Sequence, residues 1–391
     1  MRFNIWNSPK IPLPEVLSFV VDNRGKTVPT SKSGHILIAT NCVRNENLYP
    51  SYEKIRYLSE DTYQNWFRAH PVPGDILFVC KGTPGRTCMV PDPVDFCIAQ
   101  DMVALRVNPQ IVYNKYLLVV LRSKRIQKQI EQTSVGDVIP HFKKSFFDQI
   151  LIPVPPMHIQ QIIGDFYFAF SKKVELNKEI NNNLEQQSMA IYQQMFVDNP
   201  SSEWKEGTLS DIADITMGQS PSGSSYNEES IGTIFFQGRA EFGFRFPTVR
   251  LFTTEPKRMA CANDTLMSVR APVGDLNVAH TDCCIGRGLA AIHSKTNHQS
   301  FVLYTMFSLK KQLDVFNGEG TVFGSINRNS LNEMPILIPS DEKLDEFEGI
   351  VAPMDTAIRN NYDEICRLEQ IRDSLLPKLM SGELDVSNID L

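Results

Sequence analysis

Apolar residues recur at steps of three and four along two long stretches of this chain, and the second stretch is a near copy of the first. The seam Ile163, Phe166, Phe170, Val174, Leu184, Ile191 and Met195 lands in order on Phe347, Ile350, Met354, Ile358, Leu368, Leu375 and Leu379. Asn177 lands on Asn361, and Leu184-Glu185-Gln186 lands on Leu368-Glu369-Gln370. Such spacing belongs to a helix that buries one narrow stripe against another helix. The pattern predicts helices over about residues 157–197 and 347–380, each about 50–60 Å long at 1.5 Å per residue. Pro353 predicts a kink or a fresh helix start in the second copy.

Elsewhere the period changes. Residues 1–155 carry short β-rich runs, such as Ile36-Leu37-Ile38 and Ile76-Leu77-Phe78-Val79, punctuated by Gly and Pro. A helix is predicted over Lys115–Glu131, then a loop at Ser134–Val138 and a strand over Ile150–Pro153. The run Pro153-Val154-Pro155-Pro156 makes a stiff joint, because proline fixes φ and restrains its predecessor. Residues 201–338 repeat this plan. Gly74-Asp75-Ile76-Leu77 matches Asn263-Asp264-Thr265-Leu266, and Lys81 then falls on Arg270 and Gly85 on Gly274. Cys97-Ile98 matches Cys284-Ile285, Gly136-Asp137-Val138 matches Gly320-Thr321-Val322, and Ile150–Pro153 matches Ile336–Pro339. The expected architecture is α+β: two mixed α/β domains in tandem (1–155 and 201–338), separated and joined by two long helices (156–200 and 339–391). Helices separated by a whole domain pair most simply antiparallel as a coiled coil, giving pseudo-two-fold symmetry, with the repeated Asn fixing register.

Composition changes little in this picture. At 42% hydrophobic and 21% charged residues the chain reads as globular. No apolar run reaches the ~18 residues of a membrane span, and Met1-Arg2-Phe3-Asn4 opens no secretory signal, so a cytoplasmic protein is expected. The eight cysteines form no Cys-x-x-Cys pair and are expected to be small buried residues rather than metal ligands. The net charge of −6 is unevenly distributed. The first 155 residues are basic and the closing helical segment is strongly acidic, which suggests different partners for different parts.

No catalytic constellation is evident. There is no Asn/Asp-Pro-Pro-aromatic motif, no Walker loop, no Gly-x-Ser-x-Gly elbow and no acidic nuclease core, and Gly286-Arg287-Gly288 reads as a turn. Binding is what remains. In the first globule the loops carry Asn41, Arg44, Lys81, Thr83, Arg86, His141, Lys143 and Lys144. The second carries Gln237, Arg239, Arg245, Arg250, Lys257 and Arg258, with Phe242, Phe244 and Phe246 interleaved, then Arg270, Asn327 and Arg328. Arg, Asn and Gln can pair with two atoms of a base edge, while Arg and Lys neutralise phosphates. The DNA-binding candidates are Asn41, Arg44, Lys81, Thr83, Arg86, Lys143, Lys144, Gln237, Arg239, Arg245, Arg270, Asn327 and Arg328. The candidates for the helical seam and for subunit docking are Phe170, Val174, Asn177, Leu184, Ile191, Met354, Ile358, Asn361, Leu368 and Leu375. No metal ligand is assigned.

Three stretches carry a family likeness. One is Leu368-Glu369-Gln370-Ile371-Arg372-Asp373-Ser374-Leu375-Leu376-Pro377-Lys378-Leu379-Met380 with Ser381-Gly382-Glu383-Leu384. Another is Met217-Gly218-Gln219-Ser220-Pro221 with Tyr226-Asn227-Glu228-Glu229 and Phe235-Phe236-Gln237-Gly238. The third is Gly74-Asp75-Ile76-Leu77 with Gly82-Thr83-Pro84-Gly85-Arg86. Together they make the chain resemble, over essentially its whole length, the specificity subunits of Type I restriction–modification enzymes. The central copy departs from the family pattern in its aromatic run Phe166-Tyr167-Phe168-Ala169-Phe170. The resemblance implies two target-recognition domains that each read half of a split, asymmetric site in double-stranded DNA. It implies helices that act as a ruler and dock two methyltransferase subunits, joined for restriction by motor–nuclease subunits. It further implies no catalysis and no cofactor on this chain, with S-adenosylmethionine, ATP and Mg on the partners. The competing expectation is a pseudo-symmetric protein-binding scaffold that does not act on DNA. Salt separates the two, because phosphate neutralisation releases counterions and makes DNA affinity fall steeply with salt.

Overall fold

The computed structural model describes residues 3–23, 25–134, 136, 140–318 and 324–384. The chain divides into two compact units, Met1–Lys178 with Asp363–Leu391, and Glu179–Tyr362. The repeat Gly136-Asp137-Val138/Gly320-Thr321-Val322 lies, apart from Gly136, outside the described residues.

In the first unit the strands are β1 (Lys10–Pro12), β2 (Leu17–Val21), β3 (His35–Ile38), β4 (Arg56–Leu58), β5 (Ile76–Val79), β6 (Thr87–Met89), β7 (Phe96–Ile98), β8 (Met102–Val107) and β9 (Leu151–Pro153). They form an antiparallel sheet in the order β2-β8-β5-β6, a sheet β4-β3-β7 in which β3 and β7 run parallel, and the pair β1-β9. Strand β5 is buried along its whole length because both faces are covered. Ile76 and Phe78 face a core shared with Leu117 and Leu121 of the helix Asn114–Arg122, whereas Leu77 and Val79 face Ile38 and Ile98 of the second sheet. That is the period-2 alternation of a strand read as a layer. The single helix predicted over 115–131 is two, Asn114–Arg122 and Lys124–Thr133. Ser123 breaks it: its extended backbone ends the first helix, and its hydroxyl accepts the Ile126 N–H at the start of the second.

The second unit repeats the order with β10 (Lys205–Thr208), β11 (Ala213–Met217), β12 (Tyr226–Asn227), β13 (Thr233–Phe236), β14 (Leu251–Thr253), β15 (Met259–Ala260), β16 (Thr265–Ser268), β17 (Leu276–Val278), β18 (Cys283–Ile285), β19 (Leu289–Ser294) and β20 (Pro335–Ile338). Its sheets are β11-β19-β16-β17, β12-β14-β13-β18-β15 and β10-β20, with β13 and β18 parallel. The Gly-Asp and Asn-Asp matches are one turn built twice. Gly74 and Asn263 both take positive φ, and Asp75 and Asp264 close the turn by accepting the N–H groups of Val72 (2.9 Å) and Cys261 (2.8 Å).

Two long helices cross the division between the units. The central helix spans Met157–Tyr192 and ends in a π-helical turn, Gln193–Asp198; the distal helix spans Asp341–Ser381. Within the first unit they run antiparallel. Arg372 Nη1 donates to Ser171 Oγ (3.3 Å) and Asn177 Nδ2 to Glu364 (2.6 Å), so one residue number falls as the other rises. Within the second unit the pairing is again antiparallel. Asn361 donates to Asn181 (2.8 Å), Asn181 to the Ile358 carbonyl (3.2 Å), and Ser188 faces the Met354 sulfur (3.6 Å).

Two expectations about the distal helix change. It continues through Pro353 with neither break nor fresh start. The seam also passes through Val351, which is fully buried, and not through Ile350, which is 44% exposed. Successive helical positions lie about 100° apart, and the spacing rule had picked the wrong one of two adjacent apolar residues. Of the other seam positions, Val174, Asn177 and Ile358 are buried, while Phe170, Leu184, Ile191, Met354, Asn361, Leu368 and Leu375 are half-buried. The aromatic run of the central helix serves the first unit's core. Tyr167 accepts a hydrogen bond from Arg122 (2.7 Å) and lies under both Arg122 and Arg372. The distal helix stops at Gly382, whose positive φ lets the N–H groups of Glu383 and Leu384 turn back to Lys378. A side chain there would run into the backbone of Phe3.

In the second unit the loop between β13 and β14 sends Arg245 into the core. It pairs with Glu185 of the central helix (3.0 Å) and Asp355 of the distal helix (3.2 Å), and donates to the Tyr304 hydroxyl (3.1 Å), which in turn donates to Asp355 (2.9 Å). Burial works against the guanidinium charge, and Tyr304, Asp355 and Glu185 outweigh it. Removing one member of such a buried cluster strands the others, at a cost of about 3–5 kcal/mol. Arg245→Ala should therefore lower the unfolding midpoint in urea by that equivalent. Lys178→Ala, which deletes a half-exposed pair with Glu369, should cost less than about 1 kcal/mol. An unchanged midpoint for Arg245→Ala would contradict the assignment.

Candidate nucleic-acid interface

Three loops of the second unit meet at the ends of β13, β16 and β18. Beyond β13 come Gln237, Gly238 and the short 3-10 turn Arg239–Glu241. Beyond β16 comes Arg270, in a bridge to Ser325; beyond β18 comes Gly286-Arg287-Gly288. Main-chain bonds lock them together. Gly286 N–H donates to Phe236 O (2.8 Å), Val269 N–H to Gly288 O (3.0 Å) and Gln219 N–H to Ile285 O (3.0 Å), while the Arg287 N–H donates to Ser220 Oγ (3.3 Å). The two glycines are required by the closeness of this contact. A Cβ on either would sit 2.9 Å from the Gln237 carbonyl oxygen. The sequence segment Gly218-Gln219-Ser220 thus acts as a brace behind the Arg287 turn.

The result is a concavity of about 430 Å³ with Gln237, Arg239, Arg250, Arg270 and Arg287 on its walls. Arg239 is tied to Asp275, and Arg250 to Glu241 (3.1 Å). Arg270 and Arg287 are exposed, and neither side chain forms an ion pair or hydrogen bond with another described residue. Two fixed and two free guanidiniums in one hollow make a strongly cationic surface, with donors matched to phosphate oxygens and to purine edges.

The first unit has the same frame. Ala99 N–H donates to Ile38 O (3.0 Å) and Cys80 N–H to Asp101 O (2.9 Å), so Gln100 takes the place of Arg287 and Lys81 that of Arg270. Lys81 bridges to His141 as Arg270 does to Ser325, and Gly82 N–H donates to Pro140 O (2.9 Å). This brings Lys81 and Thr83, both exposed, beside the segment that carries Lys143.

The other candidates divide. Asn41 donates to the Glu53 carbonyl and Arg44 pairs with the Glu53 carboxylate (2.6 Å), so both are held locally. Lys144 pairs with Asp22, and Arg86 is half-buried in its turn. Asn327 caps the short helix Arg328–Asn332 by accepting the Ser330 N–H (2.9 Å), which leaves Arg328 exposed at its start. Arg245 is a correction: it is 3% exposed and belongs to the core cluster described above, so it does not face a ligand. Sequence reasoning passed over Arg287 because its supports, Gln237 and Ser220, lie far away along the chain. Among the described residues no group of three or more His, Cys, Asp or Glu side chains is placed to hold a metal ion. Burial pushes the thiols of Cys80, Cys88, Cys97 and Cys283 up to about 12, away from the reactive thiolate.

Similarity to known proteins points the same way. Residues 28–186 and 201–361 each match the type I restriction modification DNA specificity domain. The chain is 28% identical over 359 residues to a putative type I restriction enzyme MjaX specificity subunit from Methanocaldococcus jannaschii, covering 85% of this chain and 84% of that protein. It is 23% identical over 406 residues to the type I restriction enzyme HindI specificity subunit of Haemophilus influenzae, covering 80% and 86%. Among solved structures, the S subunit of a type I restriction-modification system from M. genitalium shares the fold. Its TM-score is 0.60 at 17% identity, over 90% of this chain and 95% of that one. Nothing in the structure or in these similarities favours the scaffold alternative. Two copies of a DNA specificity domain, each carrying a cation (Lys81 or Arg270) on the same main-chain frame, make this chain a member of the type I restriction-enzyme specificity-subunit family, the non-catalytic, DNA-recognising component of those systems.

Proposed function

We propose that each unit reads one half of a bipartite, asymmetric site in double-stranded DNA, and that two methyltransferase subunits and the restriction–translocation subunits assemble on this chain in the cytoplasm. The observation that carries the reading is the concavity holding Arg270 and Arg287, unpaired among the described residues, beside Gln237, together with the matching main-chain frame that carries Lys81 in the first unit. A cationic hollow braced on sheet ends can place donors against a groove without rearranging. The chemistry belongs to the partners: S-adenosylmethionine on the methyltransferase subunits, ATP and Mg on the restriction subunits. This chain supplies address and scaffold.

The test is binding by the complex assembled with methyltransferase subunits. Affinity for a cognate duplex should fall steeply with salt, by about 0.9 in log–log slope for each phosphate neutralised; a flat dependence would count against DNA as ligand. Arg270→Ala should weaken binding chiefly through the half-site of the second unit, and Lys81→Ala through that of the first. Titration against duplexes with one half-site scrambled reads this directly, and equal loss on both halves would refute it.

A further inference from the structure

The main-chain hydrogen bonds shared by the two units set apart two kinds of position in each. Lys81 and Arg270 follow an inner strand of the four-stranded antiparallel sheet of their unit, and both are cations. Gln100 and Arg287 stand two residues beyond the parallel strands β7 and β18, and one is a neutral amide while the other is a guanidinium. A phosphate contact needs only positive charge, which a Lys point charge or an Arg fork supplies equally. A position that stays cationic in both units fits that role. A position that keeps its backbone frame but exchanges one donor–acceptor pattern for another fits the reading of a base.

Resting on the DNA-reading role above, we propose that Gln100 and Arg287 are equivalent specificity-determining residues, Gln100 reading adenine in the half-site of the first unit and Arg287 reading guanine in that of the second. The major-groove edge of guanine offers two acceptors, N7 and O6, and a guanidinium is donor-only. The edge of adenine offers one acceptor and one donor, which a carboxamide matches with its own donor and acceptor. Neither side chain is committed to a hydrogen bond with another described residue. Arg287 is exposed, and its backbone N–H is engaged by Ser220. Gln100 is half-buried; its carboxamide oxygen is shielded from solvent and without a partner among the described residues, and gains one by turning outward to a base. The main-chain bonds of Ala99 and Gly286 to the preceding parallel strand hold both residues at one place in the frame. Two-point recognition needs that rigidity, because it fails when the fork is free to tilt.

The experiment exchanges the two side chains in the full chain, assembled with methyltransferase subunits. Binding is measured by competition among duplexes altered one base pair at a time, and the methylated motif is mapped in cells. Arg287→Gln should shift one position of one half-site from guanine towards adenine by roughly tenfold to a hundredfold, leaving the other half untouched. Gln100→Arg should do the converse in the other half. Arg270→Lys should leave every base preference in place. Exchanges that lower affinity evenly for all duplexes, or that act on a position other than guanine or adenine, would overturn the proposal while leaving the DNA-reading role standing. A wild-type complex that binds every duplex equally would overturn both. Should the Arg287→Gln complex fail to assemble, Arg287→Lys serves instead: relaxed preference at the guanine supports the proposal and unchanged preference refutes it.

Discussion

The carbonyl of the last residue in each inner parallel strand, Ile38 in the first unit and Phe236 in the second, accepts an N–H from the residue just past its parallel neighbour. Everything at these strand ends hangs on that contact. It forces the following residue to project from one fixed point, and a second bond, from Cys80 or Val269, closes the loop against the four-stranded sheet. The strands themselves are fixed by burial on both faces, so the loops inherit the stiffness of a packed core. The second unit needs glycine at 286 and 288 because the turn is pressed onto the Gln237 backbone. The first unit carries Ala99 and Asp101 at the matching places, so the same hydrogen bonds are met by a slightly different path.

The seam between the long helices mixes polar and apolar groups. Ser171, Asn177, Asn181 and Ser188 are all buried on one face of the central helix, and each hydrogen-bonds or lies against the distal helix. A purely apolar stripe would pack as well after slipping by a turn. Asn181 matched to both Asn361 and the Ile358 carbonyl has no such alternative, because a slip leaves buried amides without partners. The cost shows at Asn177, whose amide donates to Glu364 while its carbonyl oxygen is buried with no partner. Arg245 reinforces the same register in the second unit from the side, by holding one carboxylate from each helix.

The duplicated plan and the two helices were legible in the sequence because periodicity encodes burial directly, residue by residue. Asn177 and Asn361 stood out as polar breaks in an apolar stripe, whereas Asn181 and Ser188 did not. They sit among other polar residues, and only the partner helix shows which of these face inward. Lys81 and Arg270 were readable because the repeat placed them alike. Arg245 was misread for a physical reason: whether a loop arginine faces water depends on carboxylates that fold against it, here Glu185 and Asp355, each far along the chain. Glu53 and Asp22 likewise neutralise Arg44 and Lys144, which looked free as isolated letters. Arg287 was hidden by the opposite effect, a turn whose importance comes from distant residues bracing it.

The end of the distal helix has a consequence of its own. Gly382 lies against the backbone of Phe3, so the stop of the helix and the seating of that backbone are set by one residue. A Cβ at 382 would meet the Phe3 carbonyl at 2.6 Å, and the positive φ would strain it as well, so the turn admits no other residue unless both segments move.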